Sequence, residues 1–228
     1  MFGGYGTGGG GAKPCASPPA CSKGDPVNLA TGLYVYSKTD LSIPDVMPIN
    51  ITRTYRADDP NSRAFGIGSD LPFNWFFYST NPWGETDVIL PDGQRIRYNC
   101  RAGAVCTHWT SAILEHTATQ TEFYGSVLFW NSNNGWDLQL KNGTVYRFTA
   151  NGPLQEIRDK LGNRTIMTRA NPGAPITRIT SPNGRWVEFH LRRQQSDYPG
   201  HRQPGPHAYG SGVRSGVRSI IASLAILI

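Results

Sequence analysis

From Leu90 onward, apolar and polar positions alternate with period two, in blocks that each begin at a glycine turn. Leu90-Pro91-Asp92-Gly93-Gln94-Arg95-Ile96-Arg97-Tyr98 places a turn before an alternating strand. Leu140 to Phe148 repeats this at the same offsets around Asn142-Gly143, and Ile179 to Phe189 repeats it around Asn183-Gly184. In each block the residues three and five after the glycine are apolar and share one strand face, while Arg97, Arg147 and Glu188 point the other way. The Asp-Gly and Asn-Gly pairs supply turns compatible with type I′. Leu154 to Ile166 reads as a related hairpin. Glycines 143, 162 and 184 fall about 20 residues apart, a spacing typical of repeat architectures.

The chain before these blocks reads as turn, strand, turn, strand. Asp25-Pro26 and Thr31-Gly32 are turn pairs. Leu33-Tyr34-Val35-Tyr36 is aromatic and β-branched, and Ile49, Ile51 and Arg53-Thr54-Tyr55 alternate into a second strand. Pro44 and Pro48 bracket a kink between them. Arg56 to Asp70 is expected as a polar loop. Leu71 to Trp83 is rich in aromatics, with Phe73, Trp75, Phe76, Phe77, Tyr78 and Trp83. Such a stretch packs a core, or it forms a stacking platform for sugars or bases.

The pattern predicts an all-β chain of antiparallel hairpins in a ribbon, with four parts. Residues 1–23 are a low-complexity leader, 24–100 an N-terminal domain, 101–189 a hairpin repeat region, and 190–228 an unstructured basic tail. Composition agrees, since 26 Gly and 17 Pro in 228 residues suit a turn-rich β protein. Charge narrows the picture further. Of the formal +6, the tail from His190 contributes five Arg against one Asp, leaving 17 basic and 15 acidic residues in the body. The body is therefore close to balanced, and no nucleic-acid partner is expected for it. No segment reaches the roughly 20 apolar residues of a membrane span, and Ile220 to Ile228 is far too short.

The four cysteines form two close pairs, Cys15 with Cys21 and Cys100 with Cys106, which predicts local disulfides and an oxidising compartment. Met1-Phe2-Gly3-Gly4 has neither the basic start nor the apolar core of a signal peptide, so the expected start lies upstream or export is signal-independent. Cys100, Cys106, His108 and His116 form the one metal-like group, but their spacing fits no zinc pattern, and a disulfide closing Arg101 to Val105 is the expectation. No catalytic constellation, metal site or cofactor site is expected: Gly-x-Ser-x-Gly, His-Glu-x-x-His and Cys-x-x-Cys are all missing. Asp87, Asp92 and Asp159 are read as turn residues, Asp137 and Glu115 as solvated carboxylates. Arg95, Arg97, Arg147 and Arg164 are read as outward strand residues rather than a phosphate-binding stripe.

Several motifs carry a resemblance. Gly24-Asp25-Pro26-Val27-Asn28, Thr31-Gly32, Thr39-Asp40-Leu41, Pro44, Pro48-Ile49 and Arg53-Thr54-Tyr55 resemble the signature that opens the N-terminal domain of bacterial Rhs/YD-repeat proteins. Gly66-Ile67-Gly68 and Leu90-Pro91-Asp92-Gly93 follow in that family's order, and the likeness runs from about Gly24 to Phe189. The hallmark Tyr-Asp pair is absent; Arg169-Ala170-Asn171-Pro172-Gly173 stands at the corresponding place. The resemblance implies a non-enzymatic, secreted or cell-surface structural module. It would be part of a β-shell that encloses or delivers a C-terminal effector. Its implied partners are the remainder of the shell and a secretion apparatus, with no specific nucleic acid or membrane. After Phe189 the pattern stops, and the codons of His190 to His207, read one base over, permit a Tyr-Asp-Gly repeat. A frameshift near His190 in a longer parent gene is thus expected, against a genuine disordered tail. Two rival functions remain: a carbohydrate-binding module on the aromatic stretch, and nucleic-acid binding through the tail.

Overall fold

In this computed structural model the described residues are 34–193, without 61, 64, 82 and 151, together with the strand 220–225. Among them there is no helix, and the chain is all-β with antiparallel sheets. The leader and the motif residues Gly24, Asp25, Pro26, Asn28, Thr31 and Gly32 lie outside the described residues. So do Cys15 and Cys21, and with them the disulfide predicted to join Cys15 to Cys21.

Two strands open the fold, β1 (Val35–Ile43) and β2 (Ile49–Arg56), paired as a hairpin around Pro44 to Pro48. The stretch expected as a polar loop is more ordered than its composition suggests. It holds β3 (Ser62–Arg63), β4 (Gly66–Ile67) and β5 (Ser69–Asp70); β3 pairs with β4, and β5 joins β2. Asp70 is buried, and its carboxylate accepts the Leu71 N–H at 2.8 Å and the Asn74 amide at 3.0 Å. These bonds tie down a segment that composition alone would leave in solvent.

Twelve strands then form one meander. They are β6 (Phe76–Asn81), β7 (Glu85–Ile89), β8 (Arg95–Cys100), β9 (Ile113–Glu115), β10 (Val127–Asn131) and β11 (Gly135–Gln139). β12 (Val145–Thr149), β13 (Leu154–Arg158), β14 (Arg164–Arg169), β15 (Ile176–Thr180), β16 (Trp186–Arg193) and β17 (Ile220–Ala225) continue it. Every strand pairs with its neighbour in sequence. Of residues 190–228, expected as an unstructured tail, the described part is the end of β16, which runs past Phe189 to Arg193, and β17, which pairs with it through Phe189 opposite Leu224. The physical reason is an open sheet edge beside Ile220-Ile221, a β-branched pair suited to a strand. Residues 194–219 and 226–228 lie outside the described residues.

Alternation places one face of the strands in the core. Leu114 lies opposite Leu128, Leu128 opposite Leu138, Leu138 opposite Tyr146 and Tyr146 opposite Ile157, a continuous apolar row across five strands. Ile157 faces Thr165, and two residues further along β14 a second apolar row begins, with Met167 opposite Ile179 and Ile179 opposite Val187. The aliphatic side chains that are fully buried contribute roughly 1.5–3 kcal/mol each, while Tyr146 and Ile157 are partly buried. The sheet also curls: the Leu154 N–H donates to the Trp75 carbonyl at 3.2 Å, so the residue entering β6 meets the start of β13. The β1–β2 hairpin covers the apolar face with Leu41, Ile43, Ile49 and Ile51.

The hairpin turns differ from the type expected. Type I′ requires positive φ at both central residues. Here only the glycines have it, with φ of 78° at Gly93, 89° at Gly143, 88° at Gly162 and 82° at Gly184. Three residues, not two, reverse the chain: the Gly93 N–H reaches the Leu90 carbonyl at 2.8 Å, and the Leu90 N–H reaches the Gln94 carbonyl at 2.9 Å. The turns at Leu140–Thr144, Asp159–Asn163 and Ser181–Arg185 repeat both bonds. This is a type I turn closed by a glycine bulge, in which Asp92 or Asn142 stays right-handed and its side chain accepts the N–H two residues on.

Candidate functional site

The described part of the N-terminal motif converges on one bulge. Thr39 pairs with Thr52 and Leu41 with Ile51, leaving Asp40 as the extra residue. A bulge re-aims its side chain, and here the Asp40 carboxylate takes a two-pronged pair of bonds from Arg53, with Nη2 to Oδ1 at 2.9 Å and Nε to Oδ2. The bulge sits where the hairpin changes from covered to bare. Leu41, Ile49 and Ile51 lie in the core on one side of it, whereas Tyr34, Tyr36 and Tyr55 are exposed on the other. The hydrogen bond with Asp40 is the chief reason the Arg53 guanidinium is held above its ordinary pKa.

Both ends of this hairpin grip turns of the large sheet. At one end the Arg56 guanidinium packs on Gly93 and fills the place where a Cβ would stand. Burial pushes the carboxyl of neighbouring Asp92 upward. At the other end Asp45 accepts from the Ser181 hydroxyl, the Asn183 amide at 2.6 Å and the Asn183 N–H at 3.2 Å, while Arg185 donates to the Pro44 carbonyl. Thr39, Asp40, Leu41, Arg53 and Tyr55 thus stand on a brace running between the β7–β8 turn, with Pro91, Asp92 and Gly93, and the β15–β16 turn.

On the outer face, the arginines are matched by acids. Arg97 binds Asp87 at 2.9 and 3.1 Å, and Arg147 binds Asp137 at 2.9 and 3.0 Å. Arg164 reaches Glu156 at 4.0 Å, and Arg95 lies over the Tyr78 ring at 5.6 Å. Asp87 therefore belongs to the middle of β7 rather than to a turn. Asp137 is buried rather than solvated, with the Asn131 amide at 2.7 Å as a further donor. Glu115 pairs with Arg101 at 3.3 Å. Fork-shaped guanidinium–carboxylate pairs consume the charge that a phosphate would need.

The aromatic stretch divides. Trp75 stacks on Tyr146 with centroids 4.4 Å apart, and its indole N–H donates to the Pro72 carbonyl at 2.8 Å. Phe73 is buried and Phe77 packs against Phe148. Burial raises the pKa of the Tyr146 phenol to about 12. Trp83 instead joins Trp109, Trp130 and Trp136, with centroid separations of 5.3 to 6.2 Å along the chain of contacts. These four come from the β6–β7 turn, the 101–112 loop, β10 and β11. Trp83 and Trp136 line a cleft of about 190 Å³ at the rim opposite the glycine turns, and Trp109 and Trp130 pack beside them. The sequence showed Trp83 as an aromatic but gave no sign of its three companions, which only the meander brings together.

Of the two predicted disulfides, one falls within the described residues. Cys100 and Cys106 are joined at the base of the 101–112 loop. Their sulfurs are therefore not thiolate ligands for a metal. The predicted partners Cys15 and Cys21 both precede residue 34, where the described residues begin, so the bond expected at Cys21 is carried no further. His108 packs on Trp109 at 3.9 Å, while His116 is buried between the Arg97 carbonyl at 2.7 Å and the Thr119 hydroxyl at 2.8 Å. Among the described residues, no group of three or more His, Cys, Asp or Glu is placed to hold a metal ion.

Residues 24–98 match the model of a family described as a domain of unknown function, DUF6531. None of the curated proteins matches the chain.

Proposed function

We propose that this chain is a non-enzymatic structural module, the N-terminal stretch of a secreted or surface-borne β-shell of the Rhs/YD-repeat type. In that reading, hairpins of the same kind continue the sheet and enclose a C-terminal effector delivered through a secretion apparatus. One observation carries the proposal: a single turn geometry recurs four times along a meander that curls until β6 meets β13. One hairpin cannot bury a face alone, whereas stacked hairpins cover each other and can be extended without limit. The brace supports the same reading, because it fixes the curvature at the start of such a wall.

The test is the nucleotide sequence of the locus from the codon of Phe189 onward. Tyr-Asp repeats continuing in the neighbouring frame are the expected result. A neighbouring frame closed by stop codons soon after His190, with no repeats beyond, would overturn the proposal.

A further inference from the structure

Trp83 and Trp136 line the mouth at the rim opposite the glycine turns. Two non-glycine residues among those described have positive φ, Trp83 at 73° and Asn134 at 58°. Asn is at home there, since its short side chain tolerates the left-handed region. An indole is not, and such a backbone is costly and persists only where the surroundings impose it. That backbone places the Trp83 ring parallel to Trp136, at 17°.

We propose that this mouth binds one pyranose ring of a neutral oligosaccharide. The cleft is lined by Phe77, Leu128, Trp83 and Trp136 with the hydroxyls of Ser79 and Thr86, and no ionisable side chain among the described residues lines it. An anionic ligand finds no cation among them. A purely apolar side chain from a peptide would cover the Thr86 hydroxyl without giving it a partner, which costs free energy. A pyranose satisfies both sets: its C–H face lies on indole and its hydroxyls meet hydroxyls. Ser79 Oγ already donates to the Glu85 carbonyl at 2.5 Å, so it is left to accept from a sugar hydroxyl. At about 190 Å³ the cleft is smaller than the ~300–1,000 Å³ of a pocket for a drug-sized ligand, room for a ring rather than a chain. Further sugar units would run outward over Trp109, which is 39 % exposed. The Cys100–Cys106 bond pins the loop that carries Trp109 to this place.

The experiment uses the full oxidised chain. Tryptophan emission is followed during titration with hexamers of β-1,4-glucose, α-1,4-glucose and N-acetylglucosamine, with heparin and a proline-rich peptide as comparison ligands. The expected result is a saturable change with at least one neutral hexamer, insensitive to salt between about 50 and 500 mM. Affinity should fall about tenfold or more in Trp109→Ala and in Trp83→Ala. Leu161→Ala, exposed on the opposite rim, should bind as the parent does, and Trp109→Ala should keep the parent's melting transition. The proposal is overturned if no neutral hexamer binds. Binding confined to heparin or to the peptide, or binding undiminished in both tryptophan variants, overturns it equally.

Discussion

At one rim of the curled sheet, chain reversal takes three residues and the contacts are made by glycine, amide and carboxylate groups. At the other rim, a long loop closed by a disulfide and a turn in a costly conformation bring four indoles together. The first rim is repetitive and is held from outside by the β1–β2 brace. The second is irregular and borders a cleft. In the proposed shell, repetition serves extension, because every hairpin must accept the next. Irregularity concentrates at the rim where identical units would be of no use to a binding site.

The largest separation between structure and site should appear in two tryptophans. Trp75→Ala removes a ring stacked in the core and should cost about 3–5 kcal/mol of stability. Trp109→Ala, at the exposed mouth, should stay within about 1 kcal/mol. Urea unfolding of both variants checks this, and equal losses would show that the mouth is simply more core. Replacing both Cys100 and Cys106 by Ser should cost about 2 kcal/mol from the entropy of the short loop. Hydrogen exchange should then accelerate in 101–112 and leave the glycine rim unchanged.

Within the glycine rim the comparison sharpens. Gly143 and Gly162 share the same φ region, but a Cβ at Gly143 would stand 2.9 Å from Lys160 Cβ, while at Gly162 nothing lies within 4 Å. Both alanine variants should lose about 1–2 kcal/mol to the left-handed backbone, with Gly143→Ala losing more; thermal melts read the difference. The smallest effect is expected at the brace. The Asp45 carboxyl is held below its ordinary value of 3.8, chiefly by the Ser181 hydroxyl. A lowered folded pKa means that its contribution is complete above the unfolded value and is lost as pH falls through the folded one. As pH falls below the ordinary value of 3.8, stability should therefore fall less steeply in Asp45→Asn than in the parent.

Where information is local, the sequence displayed it. Of the residues picked by their offsets from a glycine, Ile96, Tyr98, Phe148, Val187 and Phe189 are buried and Tyr146 is partly buried. The turn type eluded the same reading because a dipeptide does not reveal whether its first residue has positive φ. Asp137 looked solvated because alternation reports the face of a strand and not the arginine that covers it. Asp40 stood in a motif, but its bulge is defined only by the register against β2. The mouth was hidden for a stronger reason: Trp83, Trp109, Trp130 and Trp136 meet through the pairing of several strands, and no spacing along the chain encodes that.

The brace also sets an order of events. Every pairing in the meander joins neighbours in sequence, so each hairpin can close soon after its residues are available, and low contact order favours rapid formation. Asp45 and Asn183 are 138 residues apart. Their bond carries a large loop-closure entropy unless the intervening strands are already in place. On a ribosome, β1 and β2 emerge first, yet their far anchor is made only when β15 and β16 have turned. The β1–β2 hairpin is thus the last part to be fastened, and it closes only once the sheet has bent far enough to bring both turns within its reach.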